Sequence, residues 1–239
     1  MNKKNAKLSW FILLISFLVF ALTGCWNTGE HTEETVNVEL GEAEKVNATI
    51  VIYKGDLYIS GGNQQLLLIS DFDYNLNQWA PQVTYSTENN EGKLKIMQKE
   101  KEKGLFNSVE NKWSLMFNQT VPLELDILMG SGDNHLDLSS INLIDLKAAI
   151  GTGDTILDLT GNYQDNIQVY LVGGVGNTTI NLPEDIGVRL WIKDGLNRIN
   201  CDGFSRFGNF YFNSAFDFSE RKIYITLFSG LGTIDINLI

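Results

Sequence analysis

The second half of the chain consists of short runs in which apolar and polar residues alternate, and each run leads into a Gly-x-Gly pair. The pairs begin at Gly130, Gly151, Gly174 and Gly230, with a degenerate copy at Gly195 and Asn197. Successive first glycines are 21, 23, 21 and 35 residues apart. Two alternating strands per period, separated by glycines that permit a tight bend, predict a β-solenoid with one coil per repeat. A sandwich or meander would share the alternation without needing a glycine pair at a fixed offset.

Stacked coils turn equivalent residues into columns about 4.8 Å apart. We therefore expect Leu125, Leu146 and Val169 on adjacent coils in one inward file. The longer spacing of 35 residues predicts an insertion within residues 203–221. Its alternating aromatic residues, expected to form an extra strand, are Phe210, Phe212 and Phe216.

The first half of the chain carries weaker patterns. Residues 45–120 contain short runs of β-branched and aromatic residues, and two alternating runs flanking residues 88–92 predict a hairpin. Residues 121–239 hold the repeats, and no stretch shows helical periodicity over three turns. The expected fold class is therefore all-β, a parallel β-helix (β-solenoid) with a smaller N-terminal β region.

The N-terminus has the build of an export signal. Three lysines precede an apolar run over residues 8–22, which is too short for a confident membrane span. The sequence Leu22-Thr23-Gly24-Cys25 then resembles the lipobox of bacterial lipoproteins. Residues 1–24 are expected to be removed by cleavage between Gly24 and Cys25, and the Cys25 thiol to carry lipid. An uncleaved anchor helix is the alternative, and both predict an extracytoplasmic chain held at the bacterial cell membrane.

The composition and charge limit the classes of molecule that the chain is expected to bind. The formal charge is −11, and it becomes −14 once the three lysines of the signal are removed. Nucleic acid is therefore excluded as an expected partner, because phosphate binding needs clustered cations. Residues 25–44 are polar and acidic and predict a flexible tether. Cys201 stands at an apolar repeat position and is expected to be a small core residue rather than a nucleophile.

Several segments together resemble the toast-rack domain of LiaF-like proteins, which respond to cell-wall-active antibiotics. The segments are Tyr53-Lys54-Gly55-Asp56-Leu57, Val121-Pro122-Leu123-Glu124-Leu125, Leu138-Ser139, Gly174-Val175-Gly176, Leu182-Pro183-Glu184-Asp185-Ile186-Gly187-Val188 and Asp202-Gly203-Phe204. The resemblance covers most of residues 45–239. It implies a right-handed β-helix and a non-catalytic role, linked in some relatives to sensing envelope stress. A lipid anchor here replaces the transmembrane helices of LiaF-type proteins.

The outward positions of the repeat supply a candidate binding surface. In one column the predicted order is Asp126, Lys147, Tyr170, Trp191 and Thr226. Tyr170 and Trp191 are therefore expected to be stacked neighbours, with Arg189 and Lys193 on the same face. Exposed aromatic residues beside cations can bind a glycan or an envelope protein. The alternative is an aromatic ladder covered by the N-terminal β region.

A second outward column is acidic. It contains Asp137, Asp158, Asn181, Asp202 and Asn237. Carboxylates at coil spacing could hold Ca²⁺, but the nonapeptide calcium-binding repeat is absent, and a solvated ladder is expected. Asp133 and Asp154 follow their glycines directly and are expected to stabilise turns by side-chain hydrogen bonds. We predict no metal site and no cofactor.

No catalytic constellation is recognisable. The two histidines, His31 and His135, lie near neither a cysteine nor a nucleophile motif. The sequence therefore predicts a surface-tethered binding, sensory or accessory protein of the cell envelope. A carbohydrate-active β-helix enzyme is one alternative. A self-assembling or adhesive scaffold is another, with Leu128, Ala149 and Val172 as its apolar outward face.

Overall fold

The computed structural model describes residues 31–63, 65–76, 79–99 and 110–239. The signal segment, its cleavage site and Cys25 lie outside these residues. The described protein is all-β, and no helix in it is long and apolar enough to span a membrane. The strands are β1 (Thr32–Glu39), β2 (Lys45–Lys54), β3 (Asp56–Asn63), β4 (Leu66–Tyr74), β5 (Pro81–Glu88), β6 (Glu91–Gln98), β7 (Asn111–Asn118), β8 (Leu123–Ser131), β9 (Asn134–Asp137), β10 (Leu143–Thr152), β11 (Thr155–Asp158), β12 (Ile167–Val175), β13 (Thr178–Leu182), β14 (Gly187–Asn200), β15 (Phe204–Phe207), β16 (Phe210–Asn213) and β17 (Lys222–Leu238).

Parallel pairing organises the strands into two arrays. Sheet 1 has the order β6, β2, β8, β10, β12, β17, β14. Sheet 2 has the order β7, β3, β9, β11, β13, β17, β14. The long strands β17 and β14 take part in both arrays, and each shorter rung contributes one strand to each. The repeat therefore corresponds to one strand of sheet 1, a glycine corner and one strand of sheet 2.

The core lies between the two sheets. Leu125 pairs with Leu146, and Leu146 pairs with Val169, so the three lie in one inward file as the repeat predicts. All three are buried. In sheet 2 the corresponding file includes Leu157 and Ile180, which are also buried. Alternation at a period of two places every second side chain in this shared interior, and that burial is the main favourable term in folding.

Glycines form the corner between the sheets because neighbouring backbones approach too closely for a side chain. Gly153 has a φ of +137°, and a Cβ atom added there would overlap the carbonyl oxygen of Gly132 on the adjacent rung. Gly132 and Gly176 stand in the same relation to their own neighbours. The Gly-x-Gly pairs of the sequence are therefore two stacked files that let successive rungs hydrogen-bond through the corner.

The last two rungs are not stacked in chain order. Strand β17 lies between β12 and β14, although β14 precedes it in the sequence. The predicted adjacency of Tyr170 and Trp191 is therefore wrong, because Thr226 pairs with both of them. Residues 203–221 do contribute extra strands: β15 and β16 form a hairpin, and β16 pairs antiparallel with β14.

Strands from the first half of the chain extend both sheets. Ala48 of β2 pairs with Leu125 in sheet 1, and Ile59 of β3 pairs with Leu136 in sheet 2. Strands β5 and β6 form an antiparallel hairpin at that end of sheet 1. Residues 32–39 were predicted to belong to the tether. They form strand β1 instead, which pairs antiparallel with β4.

Candidate functional site

The outward side of sheet 1 carries a long surface that crosses the strands. In a parallel array, paired residues point to the same side, so each register position becomes a file running perpendicular to the strands at about 4.8 Å per step. The middle file of this surface is Lys95, Thr49, Asp126, Lys147, Tyr170, Thr226 and Trp191. Its first half is charged and polar, and its second half is aromatic.

A cavity of about 520 Å³ occupies the polar end of this surface. Its lining includes Lys45, Lys93, Lys95, Glu124 and hydroxyl side chains from β2 and β5. The Lys45 ammonium lies 2.5 Å from a carboxylate oxygen of Glu124. That contact holds the pKa of the Glu124 carboxyl below its ordinary value, mainly through the hydrogen bond from Lys45. The cavity therefore presents paired charges and hydroxyl groups to solvent.

A second depression of about 290 Å³ continues from the first one. Thr49 lines both, and Tyr170 lies at the far side of the second. The ammonium of Lys147 lies 3.0 Å from Asp145 and 3.9 Å from Asp126. Asp145 is the main cause of the raised pKa of Lys147, first by its hydrogen bond and then by its charge. We call the two depressions together the sheet 1 groove.

The groove ends at an aromatic cluster built around Phe228. The ring of Phe228 lies 5.5 Å from that of Tyr170 and 5.3 Å from that of Trp191, and the contact with Trp191 is edge-to-face. Tyr170 is 45% exposed, so the described residues leave this ladder open to solvent. The N-terminal strands lie at the other end of sheet 1. The alternative of a covered aromatic ladder therefore does not hold for Tyr170.

The two predicted cations do join this cluster. The Arg189 guanidinium lies 4.6 Å from the ring centroid of Tyr224, and the Lys193 ammonium lies 6.0 Å from that of Phe228. The structure thus brings Tyr170, Trp191, Arg189 and Lys193 to one surface, but through two residues that the sequence reasoning missed. Phe228 and Tyr224 belong to strand β17, whose place in the stack could not be predicted from the sequence. The 35-residue spacing before it was the only sign that this rung differs from the others.

The acidic column of sheet 2 is made of turn-stabilising groups. Asp137 pairs with Asp158, and Asp158 pairs with Asn181, as predicted. The Asp137 carboxylate accepts hydrogen bonds from the backbone N–H and hydroxyl of Ser139, at 3.1 and 2.6 Å. Asp158 receives the same two bonds from Thr160. One carboxylate oxygen, Oδ1, of each aspartate is therefore committed to a local turn.

The far end of that column was predicted with the wrong order. Asn237 stands next to Asn181, and its amide donates to the Asn181 side-chain oxygen at 3.0 Å. Asp202 has no partner in this register, because it lies in the turn that follows β14. The predicted order is wrong because β17, which carries Asn237, lies between β13 and β14.

A further polar ladder runs along the corner. The Asp133 carboxylate accepts the backbone N–H of Asp154 at 2.9 Å, and the Asp154 carboxylate accepts that of Asn177 at 2.7 Å. Asp56 and Asn177 make the corresponding bonds on their own neighbouring rungs. The predicted hydrogen bonds of Asp133 and Asp154 are present, and they join successive rungs rather than closing a turn within one.

The remaining reactive side chains of the described residues are one cysteine and two histidines. Cys201 is partly buried against the core, and burial is the main reason that the pKa of its thiol is raised. A raised pKa disfavours the thiolate, the reactive form of cysteine. His135 stacks with Tyr58 on the outward side of sheet 2. His31 lies 3.0 Å from a carboxylate oxygen of Asp73, on strand β4.

Comparison with known proteins identifies relatives. The family model described as the N-terminal domain of toast_rack, DUF2154, matches residues 27–181. A candidate cell adhesion protein of known structure from Clostridium sporogenes is 34% identical. The alignment covers 88% of this chain and 100% of that chain, with a TM-score of 0.85. Among curated proteins, no sequence matches this chain significantly.

Two further solved structures are more distant. A candidate adhesin from Bacteroides fragilis is 13% identical, and the alignment covers 87% of this chain and 97% of that one with a TM-score of 0.28. A candidate lipid binding protein from Parabacteroides distasonis is also 13% identical, over 88% of this chain and 96% of that one, with a TM-score of 0.30. Scores this low support no inference about this chain.

Proposed function

Because this chain belongs to the toast-rack family, we propose that it is a non-catalytic adhesive protein of the bacterial envelope whose sheet 1 groove binds an extracellular polysaccharide. In this proposal the chain is exported, lipidated at Cys25 and held outside the cytoplasm by that lipid. Its two sheets wind as a right-handed parallel β-helix, and the outward side of sheet 1 is its working surface. The 34% identical relative described as a candidate cell adhesion protein supports the adhesive part.

The observation that carries the polysaccharide proposal is the continuity of the groove. Two depressions share Thr49 and follow one file of residues across successive strands to the half-exposed ring of Tyr170. Their walls offer ammonium, carboxylate, amide and hydroxyl groups, which can donate to and accept from sugar hydroxyls. The aromatic end offers an apolar surface with a polar handle. A linear hydrophilic polymer fits such a groove better than a compact ligand does.

The chemistry of the groove supports binding rather than turnover. The carboxylates of Glu124, Asp126 and Asp145 each lie within 4 Å of a lysine ammonium. The pKa of Glu124 is lowered rather than raised. A glycosidase needs a carboxylic acid whose pKa is raised enough to donate a proton to the leaving oxygen. The same polysaccharide assay tests for the enzyme, because cleavage would release new reducing or unsaturated ends.

An accessory role in envelope stress belongs to this proposal as its physiological part. It derives from the family resemblance and from the anchored location proposed above. Deleting the gene and measuring the response to cell-wall antibiotics tests it. An unchanged response would contradict the stress role while leaving the polysaccharide proposal standing.

Calorimetric titration of the whole chain with polysaccharides extracted from cell envelopes tests the groove itself. We expect binding without cleavage, and a loss of at least about tenfold in affinity for Tyr170→Ala and for Lys147→Ala, as for residues at the centre of an interface. Tyr58→Ala is the matched control, because Tyr58 is 39% exposed on the outward side of sheet 2. Equal affinities for Tyr170→Ala and the unmodified chain would contradict the proposal.

A further inference from the structure

The outward file of the sheet 1 groove continues beyond its aromatic cluster onto the hairpin of β15 and β16. Trp191 of β14 pairs with Phe210 of β16, and Phe210 pairs with Phe207 of β15. Residues that lie directly opposite each other in an antiparallel ladder point to the same side, so both phenylalanines stand on the outward side of sheet 1. From Tyr170 through Thr226 to Phe207 the file crosses four intervals of about 4.8 Å each. We call Tyr170, Trp191, Phe210 and Phe207 the aromatic shelf.

The rings of the aromatic shelf are open to a ligand. Phe207 is 80% exposed and Phe210 is 38% exposed, while Tyr170 is half-exposed. Trp191 is partly exposed and packs edge-to-face on Phe228. A row of aromatic rings this open to water marks a binding surface rather than part of the core. The apolar C–H face of a sugar ring can stack on such rings, so the shelf lengthens the groove with sites of a second chemical kind.

Two cations stand beside the shelf, one before and one after Trp191 along β14. Arg189 and Lys193 are each two residues from Trp191, so all three side chains point outward, and both cations are exposed. No ion pair between described side chains includes either cation. Lys45 and Lys147, in the polar half of the groove, are in contrast paired with carboxylates. Positive charge at the aromatic end is therefore available to a ligand.

Aromatic rings hold the Arg189 guanidinium in place. It lies 4.6 Å from the ring centroid of Tyr224 and 5.6 Å from that of Phe210. Neither contact uses a carboxylate, and the planar guanidinium can donate two parallel hydrogen bonds to an incoming carboxylate. Because its position is already fixed, the arginine loses little freedom when it binds an anion. A sugar ring stacked on Phe210 carries its substituents at the ring edge, next to this guanidinium.

We propose that the polymer bound by the groove is an acidic polysaccharide, whose sugar rings stack on the aromatic shelf and whose carboxylates bind Arg189 and Lys193. This inference rests on the polysaccharide proposal and adds the chemical class of its ligand. The shelf continues the groove in one file, and the two exposed cations complement negative charge at that end. A neutral polysaccharide would leave both cations unused, and an acidic polypeptide offers no sugar ring faces to the shelf.

Calorimetric titration of the whole chain with matched polymers tests the inference. The probes are polygalacturonate, the same polymer after reduction of its carboxylates to primary alcohols, and poly-L-glutamate. Reduction keeps the sugar rings but removes the charge, whereas poly-L-glutamate keeps the charge without the sugar rings. We expect polygalacturonate to bind at least about tenfold more tightly than either of the other polymers, because it alone offers both stacking and charge-assisted hydrogen bonds. Added salt should weaken its binding.

Three variants locate the contacts. Arg189→Gln should lower the affinity for polygalacturonate about tenfold and leave that for the reduced polymer unchanged. Phe207→Ser should lower the affinity for both sugar polymers about fivefold, because it removes part of the shelf. Arg206→Gln is the matched control: it loses the same charge, and the Arg206 guanidinium also lies over a ring, 5.3 Å from the centroid of Tyr211. Arg206 pairs with buried Tyr211 and so faces away from the shelf, and its variant should bind all three polymers like the unmodified chain.

Several results would overturn the acidic class while leaving the polysaccharide proposal standing. These are equal affinities for polygalacturonate and its reduced form, or equal affinities of Arg189→Gln and Arg206→Gln for polygalacturonate. Failure to bind polygalacturonate by a chain that binds envelope polysaccharides is another. Poly-L-glutamate binding as tightly as polygalacturonate would overturn it as well and indicate an acidic polypeptide as the ligand. The polysaccharide proposal itself fails separately, if Tyr170→Ala binds envelope polysaccharides like the unmodified chain.

Discussion

Replacing Gly153 by alanine should damage the fold more than any change at an open glycine. The added Cβ would overlap the carbonyl oxygen of Gly132 on the neighbouring rung, and Gly153 has a φ of +137°. The three nearest atoms are all backbone atoms of Gly132 and Asp133, so no flexible side chain can move away. The two rungs must therefore separate at the corner, or the corner must change its conformation.

The cost can be worked out from the contacts. A non-glycine residue held in such a conformation loses about 1–3 kcal/mol. Separating the two rungs weakens the bonds that join them, from the Gly132 N–H to the Thr152 carbonyl and from the Asn134 N–H to the Asp154 carbonyl, which are 2.9 and 2.8 Å long, at about 1 kcal/mol each. The total is about 3–5 kcal/mol, a large part of the roughly 5–15 kcal/mol that stabilises a typical domain.

Urea unfolding followed by circular dichroism measures this loss. With a slope of about 2 kcal/mol per molar urea, the midpoint should fall by about 1.5–2.5 M. Gly208→Ala is the matched control, because Gly208 also has a positive φ, +62°, but nothing lies within 4 Å of the added Cβ. It should lose only about 1 kcal/mol. A midpoint for Gly153→Ala equal to that of Gly208→Ala would refute the close-approach explanation.

Three further changes test other contacts. Asp154→Ala should lower the free energy of unfolding by about 1 kcal/mol in the same urea assay, because the Asn177 N–H loses its charged acceptor, whereas Asp154→Asn should restore most of it. The pKa of Glu124 is lowered in the folded state, so its contribution to stability is present above its unfolded pKa and disappears as the pH falls through its folded pKa. When urea midpoints are measured over a series of pH values, Glu124→Gln should show a smaller drop in midpoint over that acidic range. Burial raises the pKa of Tyr163, so its contribution to stability is present below its unfolded pKa and is lost above about pH 10. In alkaline titrations, the free energy of unfolding of Tyr163→Phe should therefore fall less steeply with rising pH than that of the unmodified chain.

The corner and core could be predicted from the sequence because their cause is local and repeated. Each rung carries its own alternation and its own glycines, so Leu125, Leu146 and Val169 could be aligned without knowing the rest of the chain. The stacking order of the last rungs has no such local signal. A spacing of 35 residues gives the length of an insertion, but it does not say on which side of β14 the returning strand will pair.

Strand β1 was missed for a different reason. It contains four polar or acidic residues before Val36, and only one of its eight side chains is buried. Its place in the fold comes from backbone pairing with β4 at an edge, as in Asn37 with Ile69. Edge strands are often charged because charge discourages pairing with other chains. A pattern of buried positions therefore cannot reveal such a strand, and its acidic composition suggested a tether.

The candidate groove is built from files of side chains on neighbouring strands, and the members of one file are far apart in the sequence. Lys147 is paired by Asp145 of its own strand and lies near Asp126 of the neighbouring one, so the groove's cations are largely neutralised within the protein. Salt screens free charges far more than hydrogen bonds to neutral sugars. Added salt should therefore leave the affinity of the groove for a neutral polysaccharide nearly constant, and a steep loss of that affinity with salt would contradict binding through sugar hydroxyls.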